Sequence, residues 1–146
     1  MSWPAKCVVD TNVPITANKA LSQDEVDPEL IPCIEACLEA IKRVISSGGL
    51  VLDDGDEIYD EYLHQLSLRG MPGLGDRFMK WVHDHRWNPR YVDRVPITSE
   101  GDSYKEFPDH PGLKGFDRSD RKFVAVACAH REKPTILQAT DSKWWG

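Results

Sequence analysis

Short apolar runs alternate along this chain with longer segments in which apolar residues recur every three or four positions. The short runs predict four strands, at residues 6–10, 49–54, 90–97 and 134–141. The longer segments predict four helices, at residues 27–49, 55–70, 75–87 and 117–132. The first of these helices also carries boundary signals, because Asp27 can cap its start and Gly48 can end it. Residues 98–116 are polar and rich in Gly and Pro, which predicts a long loop that is either functional or mobile.

The alternation of strands and helices predicts an α/β fold of three layers, α/β/α, with a small central parallel sheet. We expect one domain over residues 1–146, since this length is typical of a single hydrophobic core. Right-handed crossovers bring the carboxyl ends of parallel strands to one edge of the sheet, where such folds bind their ligands. Asp10 and Asp141 each end a predicted strand and Asp120 opens the last helix, so all three are expected at that edge.

The amino-acid composition and net charge limit the classes of protein to which this chain could belong. Hydrophobic residues make up 40% of the chain and charged residues 29%, as in a folded, soluble domain. The sequence has neither a run of about 20 apolar residues nor a signal-peptide core, so we expect a cytoplasmic protein without a membrane span. The net charge of −6 argues against binding nucleic acid by bulk charge, but a nuclease can neutralise an acidic cluster with metal ions. The four cysteines include no CxxC pair and are expected to be reduced core residues.

Four acidic residues form the candidate site: Asp10, Glu61, Asp120 and Asp141. Two carboxylates ~5 Å apart repel each other by about 3 kcal/mol at an effective dielectric constant of about 20, so such a cluster needs protons or cations to persist. A ligand set made only of oxygen atoms favours Mg²⁺ or Mn²⁺ over zinc. A pair of these ions can activate water and stabilise the leaving oxygen during phosphodiester cleavage, so the cluster predicts a metal-dependent nuclease.

Four segments of the chain resemble, in order, the motifs of PIN-domain nucleases: VVDTNV, YDEYLHQL, DRSDRKFVAVACA and LQATDSKWW. The resemblance implies that Asp10, Glu61, Asp120 and Asp141 hold Mg²⁺ or Mn²⁺ and carry catalysis, and that Asn12 helps to order the site. It also implies an endoribonuclease that hydrolyses phosphodiester bonds of RNA, of the kind that acts as the toxin of a toxin–antitoxin pair. A protein antitoxin and a homodimer are what the family leads us to expect as partners. The sequence leaves open whether the substrate is RNA or DNA.

Structural roles for the same acids remain open. Asp117 could be a further metal ligand beside Asp120, or either residue could cap the last helix. The strand-ending acids could be turn residues, and Glu61 could be a solvated helix acid. The neighbouring acids that would then replace Glu61 are Asp60 and Glu57. The alternative function is a non-catalytic module that binds RNA or protein and has a degenerate acidic site.

Other chemistry-bearing residues have less distinctive patterns. Four basic residues flank the proposed acids and could either hold a phosphate backbone or form a mixed-charge surface: Arg118, Arg121, Lys122 and Lys143. Trp144 and Trp145 could stack on bases, although packing is the commoner role of such residues. His110 and His130 have no companions at metal-ligand spacing, so they predict no second metal site.

Overall fold

The computed structural model describes residues 4–20, 28–108, 112 and 115–139. Within these ranges the protein is an α/β domain built on a four-stranded parallel sheet. The strands of this sheet are β1 (Cys7–Val9), β2 (Leu50–Asp53), β3 (Val92–Val95) and β6 (Thr135–Leu137). The helices are α1 (Asn12–Asn18), α2 (Ile31–Ser47), α3 (Glu57–Gln65), α4 (Leu74–His85) and α5 (Arg121–Ala129). A separate antiparallel hairpin comprises β4 (Ser99–Glu100) and β5 (Ser103–Tyr104).

Each predicted strand and helix contains an observed element, but the boundaries differ. Helix α2 follows a 3₁₀ turn at Pro28–Leu30, while the proposed cap Asp27 lies outside the described residues. Helix α3 ends five residues before its predicted limit, because Leu66 has an extended backbone. The last helix begins with a 3₁₀ turn at Arg118–Asp120. Helix α1 and the hairpin within the predicted loop at 98–116 were not predicted at all.

The strand order of the sheet is β3-β2-β1-β6. The chain passes from β1 to β2 and β3 in one direction and then returns across the sheet to β6, on the other side of β1. Right-handed crossovers therefore place α1, α2 and α4 on one face and α5 on the opposite face. The packing agrees, because α1, α2 and α4 contact one another whereas α5 lies against β1, β2 and β6. This arrangement is consistent with three layers, and the strand order reverses at β1.

The core lies on both faces of the two inner strands. Every residue of β1 and β2 is buried, and the buried hydrophobic side chains form one continuous cluster with those of the helices. Helix α1 packs closely on the start of α4, where a Cβ added to Gly75 would lie 1.9 Å from the carbonyl oxygen of Pro14. Asn18 ties the same two helices together, since its amide pairs with Asp76 through contacts of 3.1 and 3.2 Å. Among the described residues, no helix combines the length and apolar character needed to cross a membrane.

Candidate active site at the carboxyl end of β1

Asp10 follows β1 directly and lies at the edge where the strand order reverses. Its side chain is buried, with only 2% of the residue exposed. One carboxylate oxygen, Oδ1, accepts a hydrogen bond of 2.9 Å from the backbone N–H of Asn12, the first residue of α1. The start of the helix therefore fixes the orientation of this carboxylate. Almost any residue at position 12 would supply this backbone N–H, so the ordering role expected of Asn12 stays a prediction.

Glu61 reaches the same edge from α3. The hydroxyl group of Thr11, the residue after Asp10, donates a hydrogen bond to Glu61 Oε2. The neighbouring Tyr62 is fully buried and donates a hydrogen bond of 2.5 Å to the carbonyl oxygen of Val9, the last residue of β1. Burial raises the pKa of Tyr62 well above its usual value, and the negative charges of Asp10 and Glu61 raise it further. Helix α3 is thus anchored to the end of β1 with its acid beside that of the strand.

Asp120 comes from the third element, at the start of α5. It is buried, with 8% of the residue exposed. Two residues further along, Lys122 donates hydrogen bonds of 2.6 Å to Glu61 Oε1 and to the backbone carbonyl of Ser119. Glu61 is therefore held from both sides, by Thr11 after β1 and by Lys122 of α5. These contacts hold the end of β1, α3 and the start of α5 together around Glu61.

The remaining acids named from the sequence have different surroundings. Asp117 is exposed, and its Oδ1 accepts hydrogen bonds from the backbone and hydroxyl groups of Ser119, so it caps the turn before α5. Asp60 is exposed on α3, and Glu57 accepts a hydrogen bond of 2.9 Å from the hydroxyl of Tyr104. Asp141 lies outside the described residues, as do Lys143, Trp144 and Trp145.

Asp53 is a buried acid that the sequence did not single out as a site residue. It ends β2 and is fully buried, and it accepts hydrogen bonds of 2.8 and 2.9 Å from the backbone N–H groups of Glu57 and Ile58. These contacts satisfy two backbone N–H groups in the first turn of α3 that have no partner within the helix, so the carboxylate has a structural role. The apolar run that ends in Asp53, followed closely by a helix, is the sequence signal for such a cap.

The flanking basic residues divide between the site and the surface. Lys122 is bound to Glu61, and only 12% of its side chain is exposed. Arg118 instead forms an exposed ion pair of 3.2 Å with Asp102, and Arg121 donates to the carbonyl oxygen of Phe116. Sequence alone could place Lys122 near the acids, but its pairing with Glu61 depends on the packing of α5 against α3.

The chemistry of the group is set by its donor atoms. Asp10, Glu61 and Asp120 offer carboxylate oxygens, and the backbone, Thr11 and Lys122 restrain two of them in orientation. Carboxylate oxygens are the ligands that Mg²⁺ and Mn²⁺ prefer, so these side chains are the ones that could hold such an ion. Thiol chemistry is disfavoured in the core, because burial raises the pKa of Cys7 to about 11 and is the main cause that raises the pKa of Cys37 to about 12. None of the four cysteines forms a disulfide, as expected.

A second group of metal-binding residue types lies at the opposite edge of the sheet: Asp93, His130 and Glu132. The expectation that His130 has no such companions was wrong, because Asp93 of β3 reaches it from a distant part of the sequence. His130 Nδ1 accepts a hydrogen bond of 3.0 Å from the backbone N–H of Glu132, so the proton resides on Nε2, which donates to Asp93 Oδ2 at 2.8 Å. Lys6 also pairs with Asp93, at 3.2 Å. Both ring nitrogens are engaged, and the group is a structural hydrogen-bond cluster.

Comparison of the chain with protein-family models, with characterised proteins and with solved structures finds no match in any of the three.

Proposed function

We propose that the protein is a divalent-metal-dependent nuclease that hydrolyses phosphodiester bonds of RNA. The observation that carries the proposal is the contact network that joins the end of β1, where Asp10 is buried, to Glu61 of α3 and to Lys122 of α5. These segments are distant in sequence and meet where the strand order reverses, which is where open α/β sheets bind ligands. Burying a carboxylate is costly, and Asp10 and Asp120 are both buried, which supports a functional role for them.

The residues fit Mg²⁺ or Mn²⁺ as the cofactor. Asp10, Glu61 and Asp120 would hold the ion, with Asp141 as the proposed fourth carboxylate from the end of the last strand. When bound, the ion would supply Lewis-acid activation of water and stabilisation of the leaving oxygen. The protein's own contribution is orientation: Asn12 fixes the carboxylate of Asp10, and Thr11 fixes that of Glu61. Asp117 could contribute to the site only by giving up its contacts with Ser119.

Lys122 gives the site a positive charge as well. Its ammonium group lies 2.6 Å from Glu61 Oε1, in reach of any phosphate that approaches the carboxylates. In this mechanism Lys122 holds Glu61 in place before substrate arrives and then helps to neutralise the phosphate bound beside it. No protein nucleophile is required, because water attacks the phosphorus atom.

We also propose a family and a biological role for this nuclease. The four-segment resemblance and the α/β architecture favour a PIN-like domain, and with it the toxin of a toxin–antitoxin pair. The corresponding partners are the RNA substrate, a protein antitoxin and a second copy of the chain in a homodimer, all acting in the cytoplasm.

A second candidate is a non-catalytic module that binds RNA or protein. The ion pair between Lys122 and Glu61 favours it, because an ammonium group can replace a metal ion as the counter-charge of a carboxylate. Against it stands the burial of Asp10 and Asp120, which a module with a degenerate acidic site does not require. The two candidates differ in metal affinity: only the nuclease should be stabilised against heat by millimolar Mn²⁺.

Cleavage of a mixed-sequence single-stranded RNA, with Mn²⁺ and with EDTA, tests the proposal. We expect metal-dependent cleavage by the parent protein, and loss of it in Asp10→Asn and in Glu61→Gln. Asp60→Asn is the matched control, because this acid is adjacent to Glu61 but exposed on the other side of the helix turn, and it should leave cleavage unchanged. Equal cleavage by Asp10→Asn and the parent would contradict the proposal. A DNA strand of the same sequence distinguishes the two nucleic-acid substrates.

A further inference from the structure

A cavity of about 490 Å³ lies along the outer edge of β3, the edge strand of the sheet in the described part of the chain. Its walls come from the segment after α4, from β3 and from the segment after α5. The residues that matter for its chemistry are Arg86, Trp87, Arg94 and Arg131. This volume falls in the range of small-molecule sites and is sufficient for a nucleotide. We call it the β3-edge cavity.

Trp87 provides an exposed aromatic surface in this cavity. The residue is 66% exposed, although large hydrophobic side chains in the described part of the protein are mostly buried. Its indole ring is nevertheless held in place, because the guanidinium carbon of Arg94 lies 3.9 Å from the ring centroid. Arg94 is fixed in turn by contacts of 3.0 Å to Asp56 and 2.9 Å to the carbonyl oxygen of Asp54. A pre-oriented, solvent-accessible aromatic ring of this kind is a platform on which a nucleic-acid base can stack.

The cavity is locally cationic in a protein whose net charge is −6. Arg86 and Arg94 share a single carboxylate, that of Asp56, at 3.8 and 3.0 Å. Two guanidinium groups against one acid leave an excess of positive charge. Arg86 Nε and Arg94 Nη1 are also buried without a hydrogen bond to any described residue, so neither guanidinium is saturated.

Arg131 adds a third guanidinium group on the opposite wall. It is exposed and makes no ion pair with any residue that the structure describes. The nearby acid Asp93 does not offset it, because Lys6 and His130 already pair with that carboxylate. Only Glu132 remains as an opposing charge on this wall. A cavity that has guanidinium groups on both walls and an exposed aromatic ring is complementary to a nucleotide, which carries both a phosphate and a base.

The position of the cavity connects it with the candidate active site. Arg94 is in register with Leu52 of β2, and β2 is the strand next to β1. Since adjacent strands lie about 4.8 Å apart, the backbone of Arg94 is roughly 10 Å across the sheet from the end of β1. A nucleic-acid strand bound at the acids could therefore reach the cavity within a few nucleotides.

We propose that the β3-edge cavity binds one nucleotide of a single-stranded RNA, with the base stacked on Trp87 and the phosphate held by Arg131 and Arg86. The proposal rests on the proposed function for its ligand, and it adds a substrate-binding position away from the carboxylates. An acidic peptide would use the arginines but would not gain from the indole ring, so the aromatic contact favours the nucleotide.

Equilibrium binding of a short, fluorescently labelled single-stranded RNA tests the proposal. The measurement uses Asp10→Asn protein in EDTA, so that binding is observed without cleavage. Trp87→Leu should weaken binding about tenfold, whereas Trp87→Phe, which keeps an aromatic face, should retain most of it. Arg131→Ala should weaken binding about threefold and lower its salt dependence by about one phosphate contact. Arg77→Ala, which removes an exposed arginine elsewhere on α4, is the matched control and should bind like the parent.

The outcomes separate this proposal from the proposed function. Unchanged RNA binding in both Trp87→Leu and Arg131→Ala would overturn the cavity assignment, and so would the absence of RNA binding by the Asp10→Asn parent. Competition by a poly-glutamate peptide that is equally strong in Trp87→Leu would indicate a protein ligand and would also overturn it. Weakened binding in these variants supports the cavity even if the cleavage test fails, because no metal ion takes part in the measurement.

Discussion

The contact between α1 and α4 yields the sharpest prediction, through the substitution Gly75→Ala. Gly75 is the second residue of α4 and faces the backbone of α1. An alanine Cβ would lie 1.9 Å from the carbonyl oxygen of Pro14 and 2.7 Å from Oδ1 of Asn18, whereas real Cβ contacts are essentially never shorter than 3.0 Å. The nearest obstacle is backbone and cannot rotate away, so the two helices must move apart by about 1 Å at this point.

Two opposing effects decide the magnitude. Alanine is favoured over glycine within a helix by about 1 kcal/mol. Overpacking typically costs about 1–3 kcal/mol, and the cost should be at the upper end or beyond it where backbone is the obstacle. Separation of the helices would also weaken the two contacts between Asn18 and Asp76, each worth about 1 kcal/mol. We expect a net loss of about 2–4 kcal/mol in the free energy of unfolding, or a fall of roughly 6–12 °C in Tm.

Urea denaturation and thermal melting measure this loss. Gly115→Ala is the control, because an added Cβ there would meet no heavy atom within 4 Å, and it should leave the free energy of unfolding nearly unchanged. Since α1 begins at Asn12, which orients Asp10, Gly75→Ala should also reduce RNA cleavage. A Gly75→Ala protein as stable as the parent would refute the argument, because the helix preference of alanine would then have outweighed the steric contact.

Two further predictions concern charged residues. Burial raises the pKa of Asp93, but hydrogen bonds from His130 and Lys6, together with the charge of Lys6, outweigh it and hold that pKa below its usual 3.8. The interaction thus stabilises the fold above pH 3.8 and is lost as pH falls through the lower folded-state pKa. Asp93→Asn should therefore lower the free energy of unfolding, measured by urea denaturation, less at low pH than at neutral pH. A loss of stability that is independent of pH would contradict this. Lys122→Met removes the ammonium group that competes with a cation for Glu61, so Mn²⁺ should bind on the order of tenfold tighter in calorimetry. Unchanged Mn²⁺ binding would contradict competition between Lys122 and an ion for this carboxylate.

The sequence predicted the elements whose pattern is long and regular. Helix α2 has apolar spacing over four turns, and its position was predicted apart from its ends. Helix α1 was missed because it has only seven residues and contains Pro14, which interrupts the usual helical pattern. The hairpin of β4 and β5 was missed because strands of two residues are too short to show alternation.

Topology alone predicts where Asp10 lies, because a residue that directly follows a strand of a parallel sheet lies at its carboxyl edge. The grouping of Asp120 with Asp10 stays a prediction. The contacts that orient Glu61 could not be predicted, because its hydrogen bonds with Thr11 and Lys122 join residues 50 and 61 positions away in sequence. The pairing of Asp93 with His130 has the same origin, since it joins the edge strand to the end of a helix on one face of the sheet.

The central position of β1 has a consequence for how activity appears during synthesis. This strand is made before β6, one of its two neighbours, and their pairing joins Cys7 to Thr135. Contacts so distant in sequence form slowly, because a very large loop must close before they can form. A nascent chain that has not yet released α5 and β6 from the ribosome therefore lacks Lys122, which holds Glu61, and one of the two strands that flank β1. If the protein is the nuclease proposed above, it would stay inactive beside the RNA from which it is being made until these segments have folded.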